Sequence, residues 1–300
     1  MDRKNRILFE KPDLEHLTAN YAVVDLHFHT HYSDGITKVA DIAERAASLG
    51  IGVAITDHNE IRGAVELDEC KSILSIPGIE ITSKEGSHVL VYFHDIKSLK
   101  KFYRDDVEPF MGNDVMHSIA LEMEEIIHRA RKYETLTIFP HPYSVAYTGI
   151  CNLQFPPKHL DQLLSLADGV EVINSHNLKK WNLKCAVLGF NLDKGITGGS
   201  DGHMLHHLGR VVSYAACENK RKPFLESIQT GNNKVVGKEI DILRKVTSNS
   251  VKLKSNLRNY PDFVEKNIRY GRTLIHAKSK QLRENVKRTI DEGMERIQNK

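Results

Sequence analysis

Two histidines, His27 and His29, stand two residues apart in the run Val23-Val24-Asp25-Leu26-His27-Phe28-His29-Thr30. On an extended strand, residues i and i+2 share a face, so both imidazoles can grip one cation. Residues of the same kind recur at the ends of other apolar runs. Asp34 lies in Ser33-Asp34-Gly35, His58 in Ile55-Thr56-Asp57-His58-Asn59, Glu80 in Gly78-Ile79-Glu80-Ile81-Thr82 and His88 in Gly86-Ser87-His88. His141 lies in Pro140-His141-Pro142, and Asp201 and His203 stand two apart in Ser200-Asp201-Gly202-His203. One histidine at a strand end is more often a hydrogen-bonding residue than a ligand. Polar ends on five separate runs point instead to a shared centre. Imidazoles and carboxylates without a thiolate suit zinc, manganese or iron. Nine candidate ligands are too many for one ion; two or three ions bridged by a carboxylate and a hydroxide would use them all.

To meet at one place, these residues need strands whose ends share a face. Apolar strand-like runs occur at 22–26, 52–56, 78–82, 88–93, 136–139, 169–173, 195–199 and 211–215. Helix-like stretches lie between several of them. The stretch 37–49 carries Val39, Ile42, Ala43, Ala46 and Leu49 on one face, and 113–133, 159–167 and 181–190 also read as helices. Such alternation favours parallel strands with helical crossovers, hence an α/β sheet or barrel. In a barrel the polar strand ends would share the face where active sites are built.

The ordered set Asp25-Leu26-His27-Phe28-His29-Thr30, Ser33-Asp34-Gly35, Ile55-Thr56-Asp57-His58-Asn59, Gly78-Ile79-Glu80-Ile81-Thr82, Glu85-Gly86-Ser87-His88, Pro140-His141-Pro142 and Ser200-Asp201-Gly202-His203 closely resembles the PHP (polymerase and histidinol phosphatase) family. The resemblance runs from about residue 21 to 210. It implies a distorted (β/α)7 barrel and a trinuclear metal site. One metal would be held by His27, His29, Glu80 and Asp201, a second by Asp34, His58 and His203, and a third by His88 and His141, with Glu80 bridging to the first. Asp34 stands where some relatives place a histidine, which is similar to the small phosphoesterase branch that includes nucleotide and nucleoside-bisphosphate phosphatases. The segment between His58 and Glu80 is short, whereas some such phosphatases carry a large insert there.

The implied activity is hydrolysis of a phosphomonoester of a small metabolite or nucleotide, with two or three Mn, Fe or Zn ions as cofactors. Clustered dications would lower the pKa of a bridging water and neutralise charge on the phosphoryl oxygens, which fits motifs that lack a Ser or Cys nucleophile. Asp25 and Asp57, each just before a ligand, are candidates to orient it. His176, in Ile173-Asn174-Ser175-His176-Asn177, is a candidate acid or phosphate ligand. Arg210, just past a metal motif, is a candidate bidentate phosphate clamp.

The chain has 300 residues, 27% charged and 40% hydrophobic. That is ordinary globular composition, which excludes disorder along the whole length and allows a core without disulfide staples. No run approaches the roughly 20 apolar residues of a membrane span, and the first ten residues lack a secretion signal. The four cysteines form no C-x-x-C pair, which fits a reducing compartment such as the cytoplasm. Charge is uneven: residues 219–300 carry 20 Lys and Arg against 9 Asp and Glu, net +11, leaving 22 against 30 in the rest, net −8.

This division suggests a barrel over 1–218 and a basic, mainly helical extension over 219–300. Within the extension, 220–230 reads as a helix that Gly231 ends. Val264, Ile268, Ile275, Leu282, Val286, Ile290, Met294 and Ile297 recur at intervals of three, four or seven. Such a stripe is expected to bury itself against the body or a second subunit, forming a homo-oligomer. The basic surplus also fits a polyanion, so the rival reading is a metal-dependent nuclease that cuts DNA or RNA phosphodiesters and holds the strand with its tail. A third reading is a non-catalytic metal-binding interaction module.

Overall fold

The computed structural model of the chain describes residues 6–144, 148–151 and 155–240. The apolar stripe of the extension, the oligomer contact expected of it and most of its basic charge therefore lie outside the described residues. The element order is β1 (Ile7–Leu8), α1 (Leu14–Asn20), β2 (Ala22–Phe28), α2 (Val39–Leu49), β3 (Gly52–Ile55), α3 (Arg62–Glu69), β4 (Gly78–Thr82), β5 (His88–Phe93), α4 (Ile96–Phe102), α5 (Met123–Ala130), β6 (Thr135–Phe139), α6 (Pro157–Leu166), β7 (Gly169–Asn174), α7 (Lys179–Leu192), β8 (Gly195–Gly199), β9 (Val211–Ala215), α8 (Arg221–Gln229) and β10 (Asn233–Gly237). Each apolar run expected to be a strand is one. Their residues are buried along nearly the whole length, as strands covered on both faces should be.

The strands form two five-stranded sheets, ordered β1-β10-β9-β2-β3 and β4-β5-β6-β7-β8. The fold is mixed α/β, and no closed seven-stranded barrel forms among the described residues. β2 and β3 pair in parallel, as do β6, β7 and β8, but β4-β5-β6 and β10-β9-β2 are antiparallel. The departure has a local cause. Residues 83–87 join β4 to β5 through a tight turn in which Ser83 N–H donates to the Ser87 carbonyl, and Gly86 takes φ +90. Five residues cannot make a crossover, so the pair must run antiparallel. Between the sheets only isolated bridges form, at Val53↔Ser75, His58↔Glu80 and Phe28↔Gly202. One bridge joins the candidate ligands His58 and Glu80, and another, Phe28↔Gly202, lies between His27 and His29 on one side and Asp201 and His203 on the other, which draws the sheet ends together there.

Helix α2 buries Val39, Ile42, Ala43 and Ala46, the expected face, and ends where Gly50 turns left-handed at φ +69. The helix expected over 113–133 begins only at Met123. Asn59 Nδ2 takes the carbonyls of Val115 and His117, which satisfies that backbone without a helix. The helix then starts where Glu125 receives the Glu122 N–H and Glu85 receives the Met123 N–H.

The body also continues past residue 218. Helix α8 buries Phe224, Leu225 and Ile228, and β10 pairs with β9 from Asn233↔Ala215 to Gly237↔Val211. No helix among the described residues is long and apolar enough to cross a membrane.

Candidate metal centre

Glu80, buried on β4, is the hub of the site. Its Oε2 lies 3.4 Å from His27 Nε2, 3.4 Å from His29 Nε2 and 3.1 Å from His58 Nδ1. Its Oε1 lies 2.9 Å from His88 Nδ1 and 3.3 Å from His141 Nε2. Asp201 Oδ1 stands 3.1 Å from His29 Nε2 and 3.6 Å from His27 Nε2. Asp34 reaches His203 Nε2 at 2.9 Å and His29 Nδ1 at 3.7 Å. All nine residues singled out in the sequence thus meet in one cluster. β2, β4 and β5 supply His27, Glu80 and His88, and the segments just beyond β2, β3, β6 and β8 supply the rest.

The donor set can be tested against metals directly. His27 Nε2, His29 Nε2, His58 Nδ1 and Glu80 Oε2 are buried and converge without forming hydrogen bonds among themselves. Such buried polar atoms are costly unless something with empty orbitals or a proton lies between them. Ligand atoms of His27–His29–Asp201, His27–Glu80–His141, His29–Asp34–His203 and His29–His58–Glu80 each lie within 4.8 Å of one another. These residues fit divalent ions held by nitrogen and oxygen.

Electrostatics fit the same reading. Burial alone would raise the Glu80 and Asp201 carboxyls, but neighbouring imidazoles outweigh it and hold both well below the usual carboxylate range. Burial would likewise lower His27, yet Asp201, Glu80 and Glu171 pull it well above 6.5, and His29 is also raised. Burial pushes His58 down to about 3 and lowers His88.

Neighbouring carboxylates thus favour the protonated forms of His27 and His29, and a metal must compete with those protons. Affinity should rise with pH until those raised values are passed, by about tenfold per pH unit for each proton expelled. Metal occupancy at pH 6 and pH 8, with proton release measured in weak buffer, checks this. Occupancy independent of pH would contradict it.

Three buried carboxylates hold the candidate ligands in place. Asp25 Oδ1 accepts the Ser200 N–H at 2.8 Å, and its Oδ2 accepts the Gly209 N–H at 3.0 Å and the Ser200 hydroxyl. Asp57 accepts from the Thr30 N–H and hydroxyl, both at 2.7 Å, and from Ser33. These contacts tie the segment after β8 and the turn after β2 to the ligand-bearing strands.

The third carboxylate, Glu171 on β7, escapes the sequence reading. Its Oε1 faces His27 Nδ1 at 3.1 Å, and its Oε2 accepts the His141 N–H and Asn174 Nδ2, both at 2.9 Å. The signal was present: Glu171 interrupts Gly-Val-Glu-Val-Ile-Asn just as Glu80 interrupts Gly-Ile-Glu-Ile-Thr. His141 and Asp201 adopt left-handed backbone, at φ +33 and +49. That conformation is uncommon outside glycine, though Asp and His tolerate it better than most residues, and it clusters at functional sites. Gly199 is needed for contact, since a Cβ there would meet His27 Cβ at 2.3 Å.

His176 lies beside the cluster, its Nδ1 3.1 Å from the Ser200 carbonyl and its ring 5.5 Å from that of His203. It joins Asp201 and His203 in a further group of ligand-type atoms. Arg210 Nε donates to the His206 carbonyl at 3.2 Å. Arg62 pairs with Glu60 and lies over the Tyr32 ring. His207 is buried and held near pKa 2 by desolvation and by His176 and His206.

Residues 25–174 match the PHP domain family, and the chain belongs to it. An uncharacterised protein of Methanocaldococcus jannaschii is 33% identical over 167 residues, which make up 51% of this chain and 82% of that protein. Among solved structures, a two-domain protein of Bacteroides vulgatus, described as containing a predicted PHP-like metal-dependent phosphoesterase, superposes with TM-score 0.54 at 18% identity, over 79% of this chain and 70% of that one. The lesion-specific endonuclease Q of Pyrococcus furiosus gives 0.56 at 19% identity, over 72% of this chain and 57% of that one. An endonuclease Q bound to a 27-mer duplex with an abasic lesion gives 0.57 at 19%, over 72% and 60%. At such identities these structures share the fold.

Proposed function

We propose that the chain is a metal-dependent phosphoesterase that hydrolyses a phosphomonoester of a small metabolite or nucleotide. The observation that carries this reading is the convergence of three imidazole nitrogens, from His27, His29 and His58, on one buried carboxylate oxygen of Glu80. His27, His29, Glu80 and Asp201 would hold one ion, Asp34, His58 and His203 another, and His88 and His141, with Glu80, a third. Two or three Mn, Fe or Zn ions would supply Lewis acidity and an activated water there.

His176 would meet the leaving group. If its Nδ1–H donates to the Ser200 carbonyl, Nε2 carries a proton only in the imidazolium form. That form can bind a phosphoryl oxygen and then hand a proton to the departing oxygen. Arg210 would add a guanidinium for the phosphate.

The nuclease reading is kept because two endonuclease Q structures share the fold and residues 219–300 are strongly basic. One experiment tests both readings. The protein is treated with EDTA, reloaded with Mn²⁺, and assayed on p-nitrophenyl phosphate, mononucleotides and oligonucleotides. Turnover should vanish with EDTA, return with the ion, and be faster on phosphomonoesters. Full activity without metal would defeat the proposal, and activity confined to oligonucleotides would select the nuclease.

A further inference from the structure

The sole tryptophan of the chain, Trp181, lies in the first turn of α7 among lysines. Lys180 Nζ is 4.9 Å and Lys184 Nζ 4.6 Å from its ring centroid, and Lys184 Nζ is also 5.6 Å from the ring of Tyr143. Folding alone does not account for this group. Lys179, Lys180 and Lys184 crowd the positive end of the helix, no acidic residue occupies its first turn, and like charges there oppose the helix dipole. The indole Nε1 is buried and finds no hydrogen-bond partner among the described residues.

The cluster is tied to the metal centre from two sides. Tyr143 follows two residues after His141, a Cα separation of at most about 7.6 Å. On the other side Asn182, next to Trp181, accepts the Asn174 N–H at 3.2 Å and donates to its carbonyl at 3.0 Å. The Asn174 side chain in turn donates to Glu171 at 2.9 Å and to Asp201 at 3.2 Å.

We propose that Trp181, Lys180, Lys184 and Tyr143 form a subsite for the nucleobase and flanking phosphate of a nucleotide whose reacting phosphoryl group lies at the metal centre. This rests on the phosphoesterase reading and narrows its substrate to base-bearing phosphates. A cation over a half-buried indole is a weaker contact than a stacked base. An incoming base therefore displaces the ammonium groups from the ring, and the freed lysines, whose side chains reach solvent, take up phosphate oxygens. Stacking tolerates any base, since every base has a π-face. The nucleotide can be free or part of a strand, and the chemistry recognised is the same.

Trp181 emission reports this subsite alone. The full-length, metal-loaded protein is titrated with adenosine 3′,5′-bis(phosphorothioate), a phosphorothioate oligonucleotide, glycerol phosphate and inorganic phosphate. Saturable quenching is expected with the two base-bearing ligands and not with the other two, and Lys184→Ala should weaken it about tenfold. Tighter, strongly salt-dependent quenching by the oligonucleotide identifies a strand as the source; equal or tighter quenching by the mononucleotide identifies a free nucleotide.

No quenching by either base-bearing ligand, or equal quenching by glycerol phosphate, overturns the subsite. Metal-dependent hydrolysis of p-nitrophenyl phosphate without quenching would sink the subsite and leave the phosphoesterase standing. Quenching without any metal-dependent hydrolysis would do the reverse.

Discussion

Glutamine in place of Glu80 should empty most of the metal centre and lower phosphoesterase turnover by at least roughly 10²–10³-fold, the rate equivalent of several kcal/mol of lost charge stabilisation. The substitution keeps the size and shape of the side chain and removes only its charge and one acceptor oxygen. Five imidazoles face that carboxylate: His27, His29 and His58 at Oε2, His88 and His141 at Oε1. An amide cannot serve both groups, because one end would present hydrogens to nitrogens that must offer lone pairs. The loss is also electrostatic. Glu80 and Asp201 together hold His27 well above its ordinary pKa, and with one carboxylate gone the cluster has less negative charge to offset incoming dications. Metal content per protein by mass spectrometry, with turnover on p-nitrophenyl phosphate and a melting curve, checks the expectation. A folded Glu80→Gln protein with full metal and near-native turnover would remove Glu80 from the centre of the proposed chemistry.

The candidate metal cluster is legible in the sequence because its residue types contradict their surroundings. Histidine and carboxylate in apolar runs such as Val-Val-Asp-Leu-His-Phe-His are costly to bury singly, so their presence at several strand ends carries information. Strand positions are legible for a related reason: Gly78–Thr82, His88–Phe93 and Val211–Ala215 are short, apolar and bounded by turn residues. The topology is not legible to the same degree. Whether β4 and β5 run parallel depends on the tightness of one five-residue turn, and the way the two sheets meet depends on single bridges such as His58↔Glu80. Long-range satisfaction of backbone groups is equally hidden, as where Asn59 caps the carbonyls of Val115 and His117 and so forestalls a helix. Strand β10 is not legible in the sequence because Asn233–Gly237 is short and polar at its start, and its identity comes from pairing with β9. Glu171 stayed hidden because no histidine stands beside it in the chain; its partners come from β2 and from the segment after β6.

That hidden carboxylate is expected to set metal affinity. Glu171→Gln should weaken metal binding by about 10–100-fold, the usual effect of removing a residue that orients a ligating histidine. Glu171 makes two kinds of contact with opposite halves of its carboxylate. Oε1 receives His27 Nδ1–H, so that Nε2, which faces Glu80 and Asp201, would offer its lone pair to an ion held between them. Oε2 receives the His141 N–H, where the backbone is held left-handed, and an amide hydrogen of Asn174. Glutamine can reproduce only one half. If its NH₂ faces His27, the imidazole must accept at Nδ1 and carry its hydrogen on Nε2, where a metal would bind. If its NH₂ faces His141, donors meet donors and the turn that carries His141 is pushed away. Glu171→Ala is a poorer probe, since it leaves buried donors unsatisfied at a cost of about 1–3 kcal/mol each and so mixes lost stability with lost affinity. Chelator competition should show the weakened affinity in a protein that still melts cooperatively. Turnover should recover towards the native value at high metal, because Glu171 acts through His27 and His141 and does not itself touch substrate. Native metal affinity in a folded Glu171→Gln protein would show that His27 and His141 are oriented by their strands alone.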